Sequence, residues 1–196
     1  MRLSRSLAMP MLALAACAAP PTALGQATVF GPTTLGQAGA DPLAEAAALL
    51  AAAEGAGSAA ERAPLIAQLD ALGVHALPES EGDLLGAWRS EHRAEPAVVY
   101  RGRTLGPGYR RAQLAAGQEL VIDQIFYAGE RAEMAAQTQG GQPVVLAVAN
   151  PRTEKVCEAR LDPQARCRWL PIFTERFSIT LSNRGTTPAS VYLVFE

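Results

Sequence analysis

Aromatic side chains are scarce in this chain: five Phe, four Tyr and two Trp among 196 residues. A packed interior must therefore be sought where those few gather with branched residues, which is mostly after Val98. Much of the remaining hydrophobicity is alanine in the first 94 residues. Lysine is nearly missing, Lys155 being the only one, so the positive charge is carried by arginine. That charge is in no surplus, since 17 basic residues face 19 acidic ones for a net charge of −2. A nucleic-acid binder needs a basic face to neutralise phosphates, so nucleic acid is excluded as the expected partner. No apolar run reaches the roughly 20 residues that span a bilayer as a helix. Histidine is limited to His75 and His92, and cysteine to Cys17, Cys157 and Cys167.

What is present begins with an export signal over residues 1–25. Arg2 and Arg5 supply the positive start, and Leu7 to Ala19 an apolar stretch without charge. Two cleavage readings are open. In the first, "LAAC" from Leu14 to Cys17 is a lipobox, residues 1–16 are removed, and Cys17 is the lipidated first residue of an anchored lipoprotein. In the second, a signal peptidase cuts before Gln26, after the prolines and small residues of "PPTALG". Either one implies a periplasmic, secreted or envelope-anchored protein. The second takes two arginines and no acid, leaving a mature net charge of −4. Residues 26–40, uncharged and rich in Gly, Thr and Ala, read as a flexible linker.

Residues 41–94 read as helical. Asp41 before Pro42 is an N-cap with proline at the first helical position, and this helix stops at Gly55 and Gly57. Ser58 with Glu61 has capping-box spacing for a second helix, closed at Gly73. A third, shorter helix carries Leu84, Leu85 and Trp88 on one face. From 96 to 196 the pattern changes to short apolar runs at 97–100, 119–127, 143–150, 175–182 and 190–196, separated by turn residues. Phe177, Ile179 and Leu181 alternate with Ser178, Thr180 and Ser182, as in a strand with one buried face. Regular short strands without intervening helices predict a mainly β, antiparallel sandwich of seven to nine strands behind a small α-helical segment.

The order of residues over the last 85 or so positions resembles the bacterial pre-peptidase C-terminal type of β-sandwich. Phe126, Ala128 and Gly129 follow the first long strand, then come Cys157, Cys167, Trp169 and Pro171. Phe177, Ile179, Asn183, Gly185, Tyr192 and Leu193 complete the pattern. The resemblance implies a jelly-roll fold, as an accessory domain or a stand-alone periplasmic protein. Calcium-binding members carry an Asp-x-Asp-Leu arrangement around the strand that here reads "QPVVLAVAN". Asp123, Glu130 and Glu133 do not supply the density of carboxylates that calcium takes, so no metal and no cofactor is expected.

Cys157 and Cys167 flank Asp162-Pro163. They lack the C-x-x-C spacing of zinc knuckles or redox pairs, and no histidine is near in sequence. In an exported protein they are expected to pair as a structural disulfide closing a hairpin, with Trp169 packed into the sandwich. No G-x-S-x-G elbow is present, and the glycine-arginine stretch 101–111 lacks the ending and helix of a phosphate loop, which leaves it a loop between strands. Its composition still suggests a binding surface: Tyr100, Arg101, Arg103, Tyr109, Arg110 and Arg111 combine arginine with aromatic rings, as polyanion, glycan and protein contact surfaces do. The expected function is thus an exported, non-enzymatic binding or accessory module. Its partner would be a protein or glycan of the cell envelope, with no membrane contact beyond a lipid at Cys17. The alternative is an envelope hydrolase with its site between helices and sandwich and His75 or His92 as base.

Overall fold

The computed structural model describes residues 41–78, 80, 82–91 and 106–196. Helices α1 (Pro42–Gly55), α2 (Ala59–Ala71) and α3 (Leu84–Glu91) precede the sandwich, with the two-residue strand β1 (His75–Ala76) between the last two. Eight strands follow: β2 (Gly108–Leu114), β3 (Glu119–Phe126), β4 (Ala132–Gln139), β5 (Val144–Ala149), β6 (Lys155–Leu161), β7 (Gln164–Trp169), β8 (Glu175–Asn183) and β9 (Ala189–Phe195).

These strands form two sheets. One has the order β1-β2-β9-β4-β7, with β1 parallel to β2 and the other pairs antiparallel; the second, fully antiparallel, is β3-β8-β5-β6. Without β1, the alternation of strands between two four-stranded sheets is that of a jelly roll. Phe177, Ile179 and Leu181 of β8, with Leu146 and Val148 of β5, fill the space between the sheets, as the alternation predicts. The run 97–100 lies outside the described residues.

The first sheet has a second covered face. β9 sends Val191, Leu193 and Phe195 into the sandwich, and Tyr192 and Val194 outward under the helices. α1 buries Leu43, Ala46, Ala47, Leu50 and Ala53 at helical spacing against β4 and β9. Small side chains on both sides, Ala135 of β4 among them, let helix and sheet lie close. Both caps form where the sequence places them: Asp41 accepts from Leu43 N at 3.1 Å, and Ser58 Oγ from Glu61 N at 3.3 Å. Polar clamps fix the two ends of α1, Asp41 to Arg166 of β7 and Glu54 to Arg111 of β2.

Two tyrosines anchor the helix layer. Tyr109 is fully buried; its hydroxyl accepts from Leu85 N (3.0 Å) and donates to Asp83 Oδ1 (3.3 Å), tying β2 to the start of α3. Burial pushes this hydroxyl up to about 12. Tyr192 is raised too, by burial first and then by the Glu54 carboxylate beside it. Above the ordinary tyrosine value near 10, the unfolded chain loses protons that the folded chain keeps. Stability is therefore fully present below pH 10 and falls as pH rises toward 12, by on the order of 1.4 kcal/mol per pH unit for each such hydroxyl. Urea midpoints taken between pH 9 and 12 should show this decline, and Tyr109→Phe should flatten it; an unchanged slope in the variant would contradict the assignment.

Candidate functional site

Of the six residues whose composition suggests a surface, Tyr109, Arg110 and Arg111 are described. Tyr100, Arg101 and Arg103 lie outside the described residues, as do Cys17 and His92. Gly108 to Arg111 belong to β2 and not to a loop, because this strand pairs along its whole length with β9. Tyr109 is buried under the helices and Arg111 is engaged with Glu54, so neither presents a free face. Arg110, half-buried, alternates to the opposite side of the strand. The cysteines do pair, with a Cα–Cα distance of 5.8 Å. The hairpin reading needs correction, however: β6 is an edge of one sheet and β7 an edge of the other. The turn at Asp162-Pro163 carries the chain across the sandwich, and the disulfide joins the two sheets. Trp169 packs into the sandwich end as expected, its ring 4.7 Å from Phe126 and 5.5 Å from Phe177.

A combination of aromatic and arginine side chains does occur, at the end of the sandwich that holds the β3–β4, β5–β6 and β7–β8 connections. Leu170, Ile172 and Phe173 stand 64%, 81% and 57% exposed on the β7–β8 loop, beside Tyr127 at 60%. Apolar side chains this exposed and this close together mark contact sites on soluble proteins. Their loops are held firmly. Gly129 N donates to Pro171 O (3.0 Å) and Ala128 N to Thr174 Oγ1 (3.0 Å), stitching the β3–β4 loop to the β7–β8 loop. Gly129 takes a φ of 75°, which lets the chain turn back there without a side-chain clash. On the third connection, Asn150 Oδ1 accepts from Arg152 N and Glu154 N, both at 3.0 Å, and so braces the β5–β6 turn.

Beneath these loops lies an aromatic footing. Phe126 meets Trp169 and Phe177 edge-on and Phe195 at a tilt. Between the β5–β6 and β7–β8 loops is a hollow of about 250 Å³, walled by Val156, Trp169, Ile172 and Phe173. Trp169 Nε1 is buried there without a hydrogen-bond partner among the described residues. Arginines border the patch: the Arg152 guanidinium lies 6.0 Å from the Phe173 ring, and Arg168 and Arg131 gather at Glu133 (2.9 and 3.8 Å). The arrangement is an apolar platform with charged edges and little freedom left to lose on binding.

His75 sits apart from the helix interior, half-buried in β1. It lines a separate hollow of about 340 Å³ together with Glu130 and Glu196. Among the described residues, its Nδ1 is buried without a partner and no serine lines that hollow. Among the described residues, no helix is long and apolar enough to cross a membrane.

No family model matches the chain, and no curated protein matches it in sequence. Solved structures match it over about half its length. The pre-peptidase C-terminal domain of a collagenase from Bacillus anthracis aligns at 8% identity, covering 45% of this chain and 87% of that one, with a TM-score of 0.38. A periplasmic inhibitor of g-type lysozyme from Aeromonas hydrophila aligns at 16% identity over 46% and 86%, with a TM-score of 0.35. A de novo designed double-stranded β-helix aligns at 16% identity over 45% and 97%, with a TM-score of 0.33. These are likenesses of fold alone.

Proposed function

We propose that the chain is an exported, non-enzymatic binding or accessory module that grips a protein of the cell envelope through the platform of Tyr127, Leu170, Ile172 and Phe173. The supporting observation is the exposure of those four side chains on loops already fixed by backbone hydrogen bonds. Large apolar side chains on a rigid support act as interface anchors, since their burial gains area at small entropic cost. Chain export, read from residues 1–25, supplies the compartment. The hydrolase alternative draws on the hollow that His75 shares with Glu130 and Glu196. A general base, however, is oriented by a hydrogen-bonded partner, and no such bond reaches the His75 ring among the described residues.

The test is a photo-crosslinking residue at position 172 in the native envelope, with position 158 on exposed β6 as control. A defined protein adduct is expected at 172 and not at 158. With that protein purified, Ile172→Asp should weaken binding by about 30-fold, the loss of one anchor worth roughly 2 kcal/mol. Its folding stability should change by no more than about 0.5 kcal/mol, because the side chain lies on the surface. Unchanged affinity in Ile172→Asp would sink the proposal. So would a platform-dependent attachment to protein-free lipid vesicles, which would assign the face to a membrane surface.

A further inference from the structure

The opposite end of the sandwich carries a groove of a different kind. It has a volume of about 740 Å³, within the range of small-molecule sites, and lies between the C-terminal turn of α1 and the β2–β3, β4–β5 and β8–β9 connections. β4 runs from the platform end to this one, so its eight residues set the two about 25 Å apart.

The groove owes its lining to strand register. Gln113 of β2 lies opposite Ser190 of β9, and Ser190 opposite Gln139 of β4. Three hydrogen-bonding side chains thus form one row across three strands, just where α1 ends and leaves the sheet uncovered. Glu54, in the last turn of α1, bends over that row. It pairs with Arg111, accepts from Gln139 Nε2 at 3.1 Å, and lies 3.5 Å from Ser190 Oγ. Gln113 Oε1 in turn accepts from Arg111 Nη1 at 2.7 Å. Gln118 is oriented by Ala115 N, which donates to its Oε1 at 2.7 Å, and its amide nitrogen has no partner among the described residues. Gln142 closes the rim.

Two properties define what fits. First, among the described residues Arg111 and Glu54 are the only charged ones lining the groove, and they neutralise each other. A carboxylate or phosphate would meet Glu54, and an ammonium would meet Arg111, so ionised ligands gain little. Second, the side chains of Gln113, Gln118, Gln142 and Ser190 keep donors or acceptors beside the Gln139 amide, whose Nε2 and Oε1 are taken by Glu54 and Gly55 N. That alternation suits a ligand whose every group both donates and accepts, which is the property of a sugar hydroxyl. Pro188 and Ala115, both exposed, add apolar surface for the C–H side of a sugar ring.

We infer that this groove is a second binding site, for a short neutral oligosaccharide segment. It is independent of the platform and of the protein bound there.

The test is two-dimensional NMR of the mature chain titrated with maltotriose, cellotriose and chitotriose, with trigalacturonate and trialanine as controls. At least one neutral trisaccharide should shift the side-chain amide signals of Gln113, Gln139 and Gln142, with a Kd between about 10 μM and 5 mM. Substituting Gln139 and Gln142 together with alanine should weaken it at least tenfold, and trigalacturonate should bind at least tenfold more weakly than the neutral sugar. The inference is overturned if no neutral trisaccharide binds with a Kd below about 5 mM, if the shifts map elsewhere, or if trigalacturonate or trialanine binds as well or better. Ile172→Asp should leave the sugar titration unchanged, so the two sites stand or fall separately.

Discussion

Replacing Phe126 with alanine is expected to lower the unfolding free energy by about 3 to 5 kcal/mol, the range for deleting a buried aromatic ring. Phe126 is 6% exposed and touches three other aromatic rings, from β7, β8 and β9. Its loss removes edge-on contacts worth about 0.5 to 1.5 kcal/mol each beyond the area they bury, and leaves a cavity that strands of both sheets would have to collapse to fill. At about 2 to 4 °C per kcal/mol for a chain of this size, Tm should fall by 10 °C or so. Calorimetry or urea unfolding measures it directly. The platform should suffer too, because Phe126 is the last residue of β3 and the loop bearing Tyr127 begins there. A loss under about 1.5 kcal/mol, nearer what one methyl group costs, would show that the aromatic cluster does not hold this end together.

The second large effect is that of the disulfide. Replacing Cys157 and Cys167 with serine, or reducing the bond, should cost about 2 to 3 kcal/mol through loop-closure entropy for a sequence separation of 10. The effect should be uneven across the fold. The bond joins an edge strand of each sheet, so hydrogen exchange should quicken first in β6 and β7, while β9 between its two neighbours stays protected. Urea midpoints with and without reductant provide the overall value. Identical midpoints would mean that edge packing alone closes this side of the sandwich.

Which parts were legible in the sequence follows from what each strand faces. β8 and β9 were readable because their branched and aromatic residues alternate or run on, and the helix caps at Asp41 and Ser58 were readable because capping is decided within four residues. β2 was not: its outer side chains, Tyr109, Arg111 and Gln113, face helices and groove, so "GYRRAQL" resembles a polar loop. β4, "AEMAAQTQ", hides its strand character in alanine, a residue depleted in strands, which it carries because α1 must approach closely. The cysteine pair was foreseen, but two cysteines around a tight turn fit a hairpin and a crossing between sheets equally well, and only the sheet order separates them. The platform escaped notice for a related reason. In "WLPIF" apolar residues suggest interior, and nothing local tells that Pro171 is buried while Leu170, Ile172 and Phe173 point outward. Of the arginine and tyrosine cluster read in 100–111, only Tyr109, Arg110 and Arg111 are described, and Tyr109 and Arg111 are held beneath the helix layer.

The position of β9 bears on how the molecule comes together in time. It lies between β2 and β4, paired to both and covered on both faces, yet it follows every other described strand along the chain. Until residue 195 has emerged, β2 has no partner on that side, β4 and β7 form a separate ribbon, and α1 has half its seat missing. Synthesis from the N-terminus therefore delivers this keystone after all its neighbours and leaves the first sheet unassembled until then.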